Sequence, residues 1–224
     1  MHISSRDRMR LGFGIAYGIL FVAAFFAWIY RPIAPPHIQG LLLAKARPLA
    51  DFQLIDHRGE EFSNEDLLGQ WHLVSYGFTS CPDICPTTLS QLVQMRHALD
   101  VEDKPTVLFY TVDHRRDTAT QLANYLPFFD TDFVGLTHLD RPENKHLAFE
   151  NSLGIAASLD LVFNEDGSVD QQNYRVNHGI ALLVLNPHGE LRAILKPRET
   201  APGIYGFDPE ELLRDYQAIR AFNG

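Results

Sequence analysis

The chain is poor in sulfur and in positive charge. Its 224 residues include two cysteines, three methionines and two tryptophans, and 19 Lys+Arg stand against 28 Asp+Glu, a formal net charge of −9. Two cysteines cannot build a disulfide-dense scaffold, and a chain of this length buries enough surface to fold without staples. If these thiols matter, they matter chemically. The first 31 residues hold four arginines (Arg6, Arg8, Arg10, Arg31) against one acid, Asp7, which leaves 15 basic and 27 acidic residues over 32–224. That excess has the wrong sign for neutralising phosphates, so nucleic acid is not an expected partner. With 46% hydrophobic and 21% charged residues and no internal repeat, the chain is neither collagen-like nor wholly disordered.

One long apolar run is present. Residues 11–30 (LGFGIAYGILFVAAFFAWIY) contain no charged side chain, and about 20 helical residues at ~1.5 Å rise span a hydrocarbon core of ~30 Å. This predicts a single transmembrane anchor, with the arginine-bearing residues 1–10 on the cytoplasmic side and Trp28 and Tyr30 at the opposite interface. A cleaved signal peptide competes, but the run is long for one and only Val22-Ala23-Ala24 resembles a cleavage site. Ten preceding residues leave little room for a mitochondrial presequence, so the expected location is a bacterial inner membrane with the body in the periplasm. Three prolines in residues 31–40 predict an extended spacer over 31–49 and a folded domain over 50–224.

Within that domain, residues 52–55 and 61–63 flank an Asp56-to-Gly59 turn and predict a hairpin, followed by a turn capped by Ser63 with Asp66. Buried strands over 71–78, 106–112 and 133–137 alternate with helices over 86–99, 119–126 and 142–153, the pattern of parallel strands with crossover helices. Apolar pairs around Asn164-to-Gly167 and around Pro187-His188-Gly189 predict antiparallel hairpins, and 200–206 reads as a loop. Asp208-Pro209-Glu210-Glu211 opens a last helix through Ala221. The fold class is α/β, a mixed sheet flanked by helices in thioredoxin-like order, behind one N-terminal membrane helix.

The two cysteines stand as Cys81-Pro82-Asp83-Ile84-Cys85-Pro86 where a buried strand gives way to a helix. A helix N-terminus offers unpaired N–H groups and a positive dipole end, which favour thiolate, the form that acts as nucleophile and metal ligand. A disulfide closing about five residues would stabilise the fold by only ~2 kcal/mol, against ~4 to 5 for a hundred-residue loop. Stapling is therefore a poor use of this spacing, while reversible redox work and metal binding both remain open.

Residues 76–89 (YGFTSCPDICPTTL) closely resemble the signature of the Sco/SenC family of copper-binding assembly proteins. Residues 112–118 (VDHRRDT) look like that family's VDPxRDT segment and 174–178 (YRVNH) like its YxVDH segment. The resemblance implies a thioredoxin-like fold, a membrane tether, and copper held by Cys81, Cys85 and a distant histidine. Two thiolates and an imidazole are a soft, low-coordinate set suited to Cu(I), whereas structural zinc asks for a fourth protein ligand.

Of the ten histidines, His178 matches the family position and precedes an apolar strand whose approach, in thioredoxin-like proteins, faces the cysteine loop. His114 is its main rival, because it replaces the proline of the VDPxRDT pattern. Asn177 replaces the family's usual aspartate before the histidine. Asp83 and Asp113 are candidates to orient or tune the ligands, or else cap local turns. Arg116 and Asp117 are expected to form a local ion pair and a helix cap.

By resemblance the protein is a metallochaperone that accepts copper from a copper-donating protein and delivers it to the copper-site subunit of cytochrome c oxidase. The alternative is a thiol–disulfide oxidoreductase in which Cys81 attacks and Cys85 resolves. A dithiol exchange requires no histidine; a three-ligand metal site does. A peroxidase would need a Thr and Arg constellation around the thiolate that this sequence does not display.

Overall fold

The computed structural model describes residues 5–29, 34–138, 145–168, 170, 173–201 and 203–222. It comprises two units, Met1–Pro35 and Pro36–Gly224. The first contains helix α1 (Ser5–Ile29), 25 residues long. Its described apolar side chains are open, Phe21 at 76% and Trp28 at 68%. Among the described residues, no helix is both long and apolar enough to cross a membrane. The predicted span over 11–30 runs through α1, but the side chains of residues 11, 12 and 14–16 and the whole of residue 30 lie outside the described residues.

The second unit runs through β1 (Gly40–Pro48), β2 (Gln53–Asp56), β3 (Glu61–Ser63), β4 (His72–Gly77), α2 (Ile84–His97), β5 (Thr106–Thr111), α3 (Ala119–Tyr125), β6 (Val134–Thr137) and α4 (His146–Leu153). It continues with β7 (Ala157–Asp160), β8 (Arg175–His178), β9 (Leu182–Leu185), β10 (Glu190–Leu195), β11 (Arg198–Ala201), β12 (Ile204–Gly206) and α5 (Pro209–Ala221). Eight strands form one sheet in the order β1-β10-β9-β4-β5-β6-β2-β3. The centre is parallel, β4 with β5 from His72↔Thr106 to Gly77↔Thr111 and β5 with β6, and antiparallel strands close both sides.

Strand alternation sorts the core onto two faces. Leu73, Val107 and Phe109 point to the side covered by α2, α3 and α5, packing with Leu89, Leu92, Leu122 and Tyr216. Val74, Leu108 and Tyr110 point to the other, against Phe52, Phe62 and the α4 residues Phe149 and Leu153. Such a strand cannot slip by one residue without exchanging its two faces, and each fully buried large side chain contributes about 1.5–3 kcal/mol. That register fixes where β4 ends, and the cysteine loop begins there.

The predicted hairpin, capped turn, parallel strands and last helix are present, the turn as a capping box between Ser63 and Asp66. Three expectations are corrected. The spacer over 31–49 is too long, because Gly40–Pro48 pairs with β10 as the sheet's edge strand. The predicted hairpin about Asn164-to-Gly167, by contrast, is present and exposed: the Asn164 N–H donates to the Ser168 carbonyl at 2.8 Å and the Asp170 N–H to the Val162 carbonyl at 2.7 Å. The loop over 200–206 instead carries the end of β11 and all of β12, which pair as a ribbon. Helix α2 begins at Ile84, two residues early, because Asp83 rather than Pro86 holds the cap position. The predicted start of α4 at 142 lies outside the described residues.

Candidate metal and thiol site

Beyond Gly77 the chain leaves the sheet and is fastened at once. Asp117, fully buried, accepts from the Thr79 N–H at 2.7 Å, the Thr79 hydroxyl at 2.6 Å and the Thr111 hydroxyl at 2.7 Å. The Cys81 N–H then donates to the Phe78 carbonyl at 3.2 Å, turning the loop into α2. Both cysteines are free thiols, Cys81 9% and Cys85 4% exposed, Cys81 just before the helix and Cys85 in its first turn. The predicted placement of both sulfurs around a helix start therefore holds.

Its expected electrostatic consequence does not hold for Cys85. Burial pushes that thiol well above its ordinary value, and its hydrogen bond with the Cys81 sulfur adds to the rise. The N-terminal dipole is worth at most ~2 kcal/mol, less than it costs to place a bare thiolate in an apolar pocket beside a second sulfur. Cys85 is thus held as a thiol that a metal must deprotonate on binding.

Closeness to the sheet explains the burial. A Cβ on Gly77 would lie 2.5 Å from the Cys85 sulfur and 3.6 Å from its Cβ, so only glycine lets the sulfur rest against β4. Gly179 does the same for the next strand approach, since a Cβ there would lie 2.6 Å from the Tyr76 hydroxyl.

His178 ends β8 in the small β7–β8 sheet. Its ring sits edge-on to Phe78 and Tyr76, with centroids 5.7 and 6.0 Å away, and it lines one cavity with Cys85, Thr88 and Ile180. Nδ1 lies 2.6 Å from the Gly179 carbonyl. A carbonyl only accepts, so Nδ1 carries the proton and Nε2 keeps a lone pair for a metal. Burial lowers the pKa of this imidazole, which favours the neutral, ligating form. Among the described residues, no three His, Cys, Asp or Glu donors yet converge on one point.

The other predicted positions separate. His114 does not join the cysteines; its ring lies 3.9 Å from that of His138. Asp83 caps α2 by position only, making no side-chain hydrogen bond there. Asp113, buried, pairs with Arg116 and accepts from the Tyr174 hydroxyl, while the Arg116 guanidinium lies 4.1 Å over the Tyr174 ring. It thereby ties the exit of β5 to the segment entering β8. Asp117 is neither the cap of α3, which is Thr118, nor the partner of Arg116; it is the fastening of the cysteine loop. Asn177 donates to Asp160 at 2.9 Å across β7–β8. Sequence reasoning missed the Asp117–Thr79 lock and the positioning role of Tyr174, for which the only signal was their place inside the VDHRRDT and YRVNH segments.

The SCO1/SenC sequence profile matches residues 43–206. A Stutzerimonas stutzeri protein whose name describes copper binding is 32% identical over 174 residues, 77% of this chain and 80% of that one. The mitochondrial protein SCO2 homolog of Bos taurus is 38% identical over 142 residues, 62% of this chain and 50% of its own, so the chain spans about half the length of that relative. Arabidopsis thaliana ScoI, solved with copper bound, superposes with a TM-score of 0.62 at 25% identity over 78% of this chain and 99% of that one. A profile match over most of the chain, joined to the thioredoxin-like architecture and to both cysteines at the expected turn, places this protein in the SCO1/SenC family.

Proposed function

We propose that the protein is a copper metallochaperone whose cargo is held by Cys81, Cys85 and Nε2 of His178. The observation that carries this reading is one small cavity lined by both Cys85 and His178, the Cys85 thiol bonded to the free Cys81 and the imidazole with its Nδ1 already engaged. A dithiol exchange gives no reason for such a histidine; a soft three-ligand set for Cu(I) does. Three protein ligands leave a position at which a recipient's thiolate can attack, so cargo passes by ligand exchange without free metal. The recipient, by kinship with proteins of cytochrome c oxidase assembly, is the copper-site subunit of that oxidase, and a copper-donating protein loads the site. The apolar stretch of residues 11–29 within α1 serves as an inner-membrane tether that keeps the body in the periplasm beside its recipient.

The Cys85 thiol bonded to Cys81 also supports a second use, reduction of the recipient's disulfide before loading. Anaerobic Cu(I) titration of the reduced full chain against a chelator of known affinity tests the first reading. One copper per chain is expected, with His178→Ala weakening binding at least tenfold, about 1.4 kcal/mol. Weak binding indifferent to His178, together with an active dithiol, would transfer the function to thiol exchange.

A further inference from the structure

Three histidines gather away from the cysteine loop. His114 follows β5, His138 follows β6 and His146 opens α4, which puts the group at the C-terminal ends of the parallel strands, the edge where open α/β sheets collect ligands. The His138 and His146 rings stack with centroids 3.6 Å apart and planes 6° apart. The His114 ring lies 3.9 Å from His138 and 6.5 Å from His146. His138 is 7% exposed, and the other two are half-buried.

We propose that His114, His138 and His146 form a second metal site, suited to a borderline divalent ion such as Zn(II) or Cu(II). The donor set is the first argument: three imidazole nitrogens suit these ions, whereas the soft cysteine pair suits Cu(I). Distance is the second. As placed, the rings lie face to face and their nitrogens do not share one focus. Three imidazoles around one ion, each nitrogen about 2.1 Å from it, have centres roughly 5 Å apart. The separations of 3.6, 3.9 and 6.5 Å bracket that value, and because the His138 and His146 planes lie 6° apart, binding requires side-chain rotation that opens the stack toward one focus. His138, buried at the end of β6, is the fixed ligand. His114 and His146, half-buried, are the ligands that must turn toward it. The site uses none of Cys81, Cys85 or His178 and stands independently of copper delivery.

The test uses the full chain in mild detergent with Cys81→Ser and Cys85→Ser, so that the thiol site contributes nothing. Zn(II) is titrated at pH 7.5 against a chromophoric chelator, and Cu(II) is followed by electron paramagnetic resonance. One Zn(II) per chain is expected, with affinity at least tenfold weaker in His138→Gln and in His146→Gln, and nitrogen hyperfine structure on Cu(II) that both variants lose. His146→Gln alters a half-buried helix start and keeps the test decisive should His138→Gln fold poorly. His188→Gln, in the β9–β10 turn, should leave binding unchanged. No Zn(II) binding by the double-serine protein, or undiminished binding in the histidine variants, overturns the proposal. A melting midpoint that responds to pH but not to Zn(II) does so as well, because it makes the stack a proton-sensitive contact only.

Discussion

Thr79, two residues before Cys81, is fastened to a fully buried carboxylate at the end of the parallel sheet, while His178 ends a two-stranded sheet that pairs, among the described residues, with itself alone. Both cysteines are nearly inaccessible; β7 and β8 bury no residue fully. The chief buried anchor of the histidine strand is Tyr174, held by Asp113 and covered by Arg116. Segments with little buried surface open locally at a lower free energy than the core. Of the three proposed ligands, two thus belong to the rigid body and one to an arm, which would give the proposed cargo site a side from which it can be opened.

The sharpest way to break this contrast is Asp117→Ala. It strips the acceptor from the Thr79 N–H and from two threonine hydroxyls, and leaving such buried donors unmet should cost roughly 3–5 kcal/mol in denaturant unfolding. A loss below about 1 kcal/mol would mean that the loop is held by something else.

Acid probes the rigid side by another route. Burial holds the imidazole of His72, in β4, down to about 4 from an ordinary 6.5. The unfolded chain therefore takes up this proton below pH 6.5 and the folded one only near 4. Stability from this group is intact above pH 6.5, falls through the window and is fully lost below 4, a change of about 3 kcal/mol. His72→Phe should lose correspondingly less stability between pH 7 and pH 4, measured by denaturant unfolding at both. An equal fall in both proteins would show that His72 does not carry the effect.

The smallest effect belongs to the arm. Asn177→Asp places a carboxylate against Asp160, where an amide now donates, and should weaken β7–β8 by about 0.5 kcal/mol. Faster amide exchange confined to these two strands is expected, with the global melting temperature unchanged. Faster exchange across the whole sheet would mean that the arm is coupled to the core more tightly than its burial implies.

Much of this arrangement was legible in the sequence, where one element sufficed to define it. The parallel strands announce themselves as runs apolar on both faces, and the cysteines as a turn between strand and helix. Edge strand β1 hid behind the prolines at 32, 35 and 36, because its pairing with β10 depends on residues some 150 positions away. Asp117 read as a local cap for the same reason: its partner Thr79 lies 38 residues earlier. Short ribbons such as β11–β12 carry too few buried residues to imprint a period. His138 and His146 gave no joint signal, because only the fold brings their rings together.

Gly77 has one more consequence. Because the Cys85 sulfur rests on a residue without a side chain, the sheet acts as an anvil that sets how deep the second thiol lies. In the proposed ligand exchange, the reach demanded of an incoming thiolate is then fixed by strand β4 rather than by the loop, and a single methyl group at position 77 would reset it.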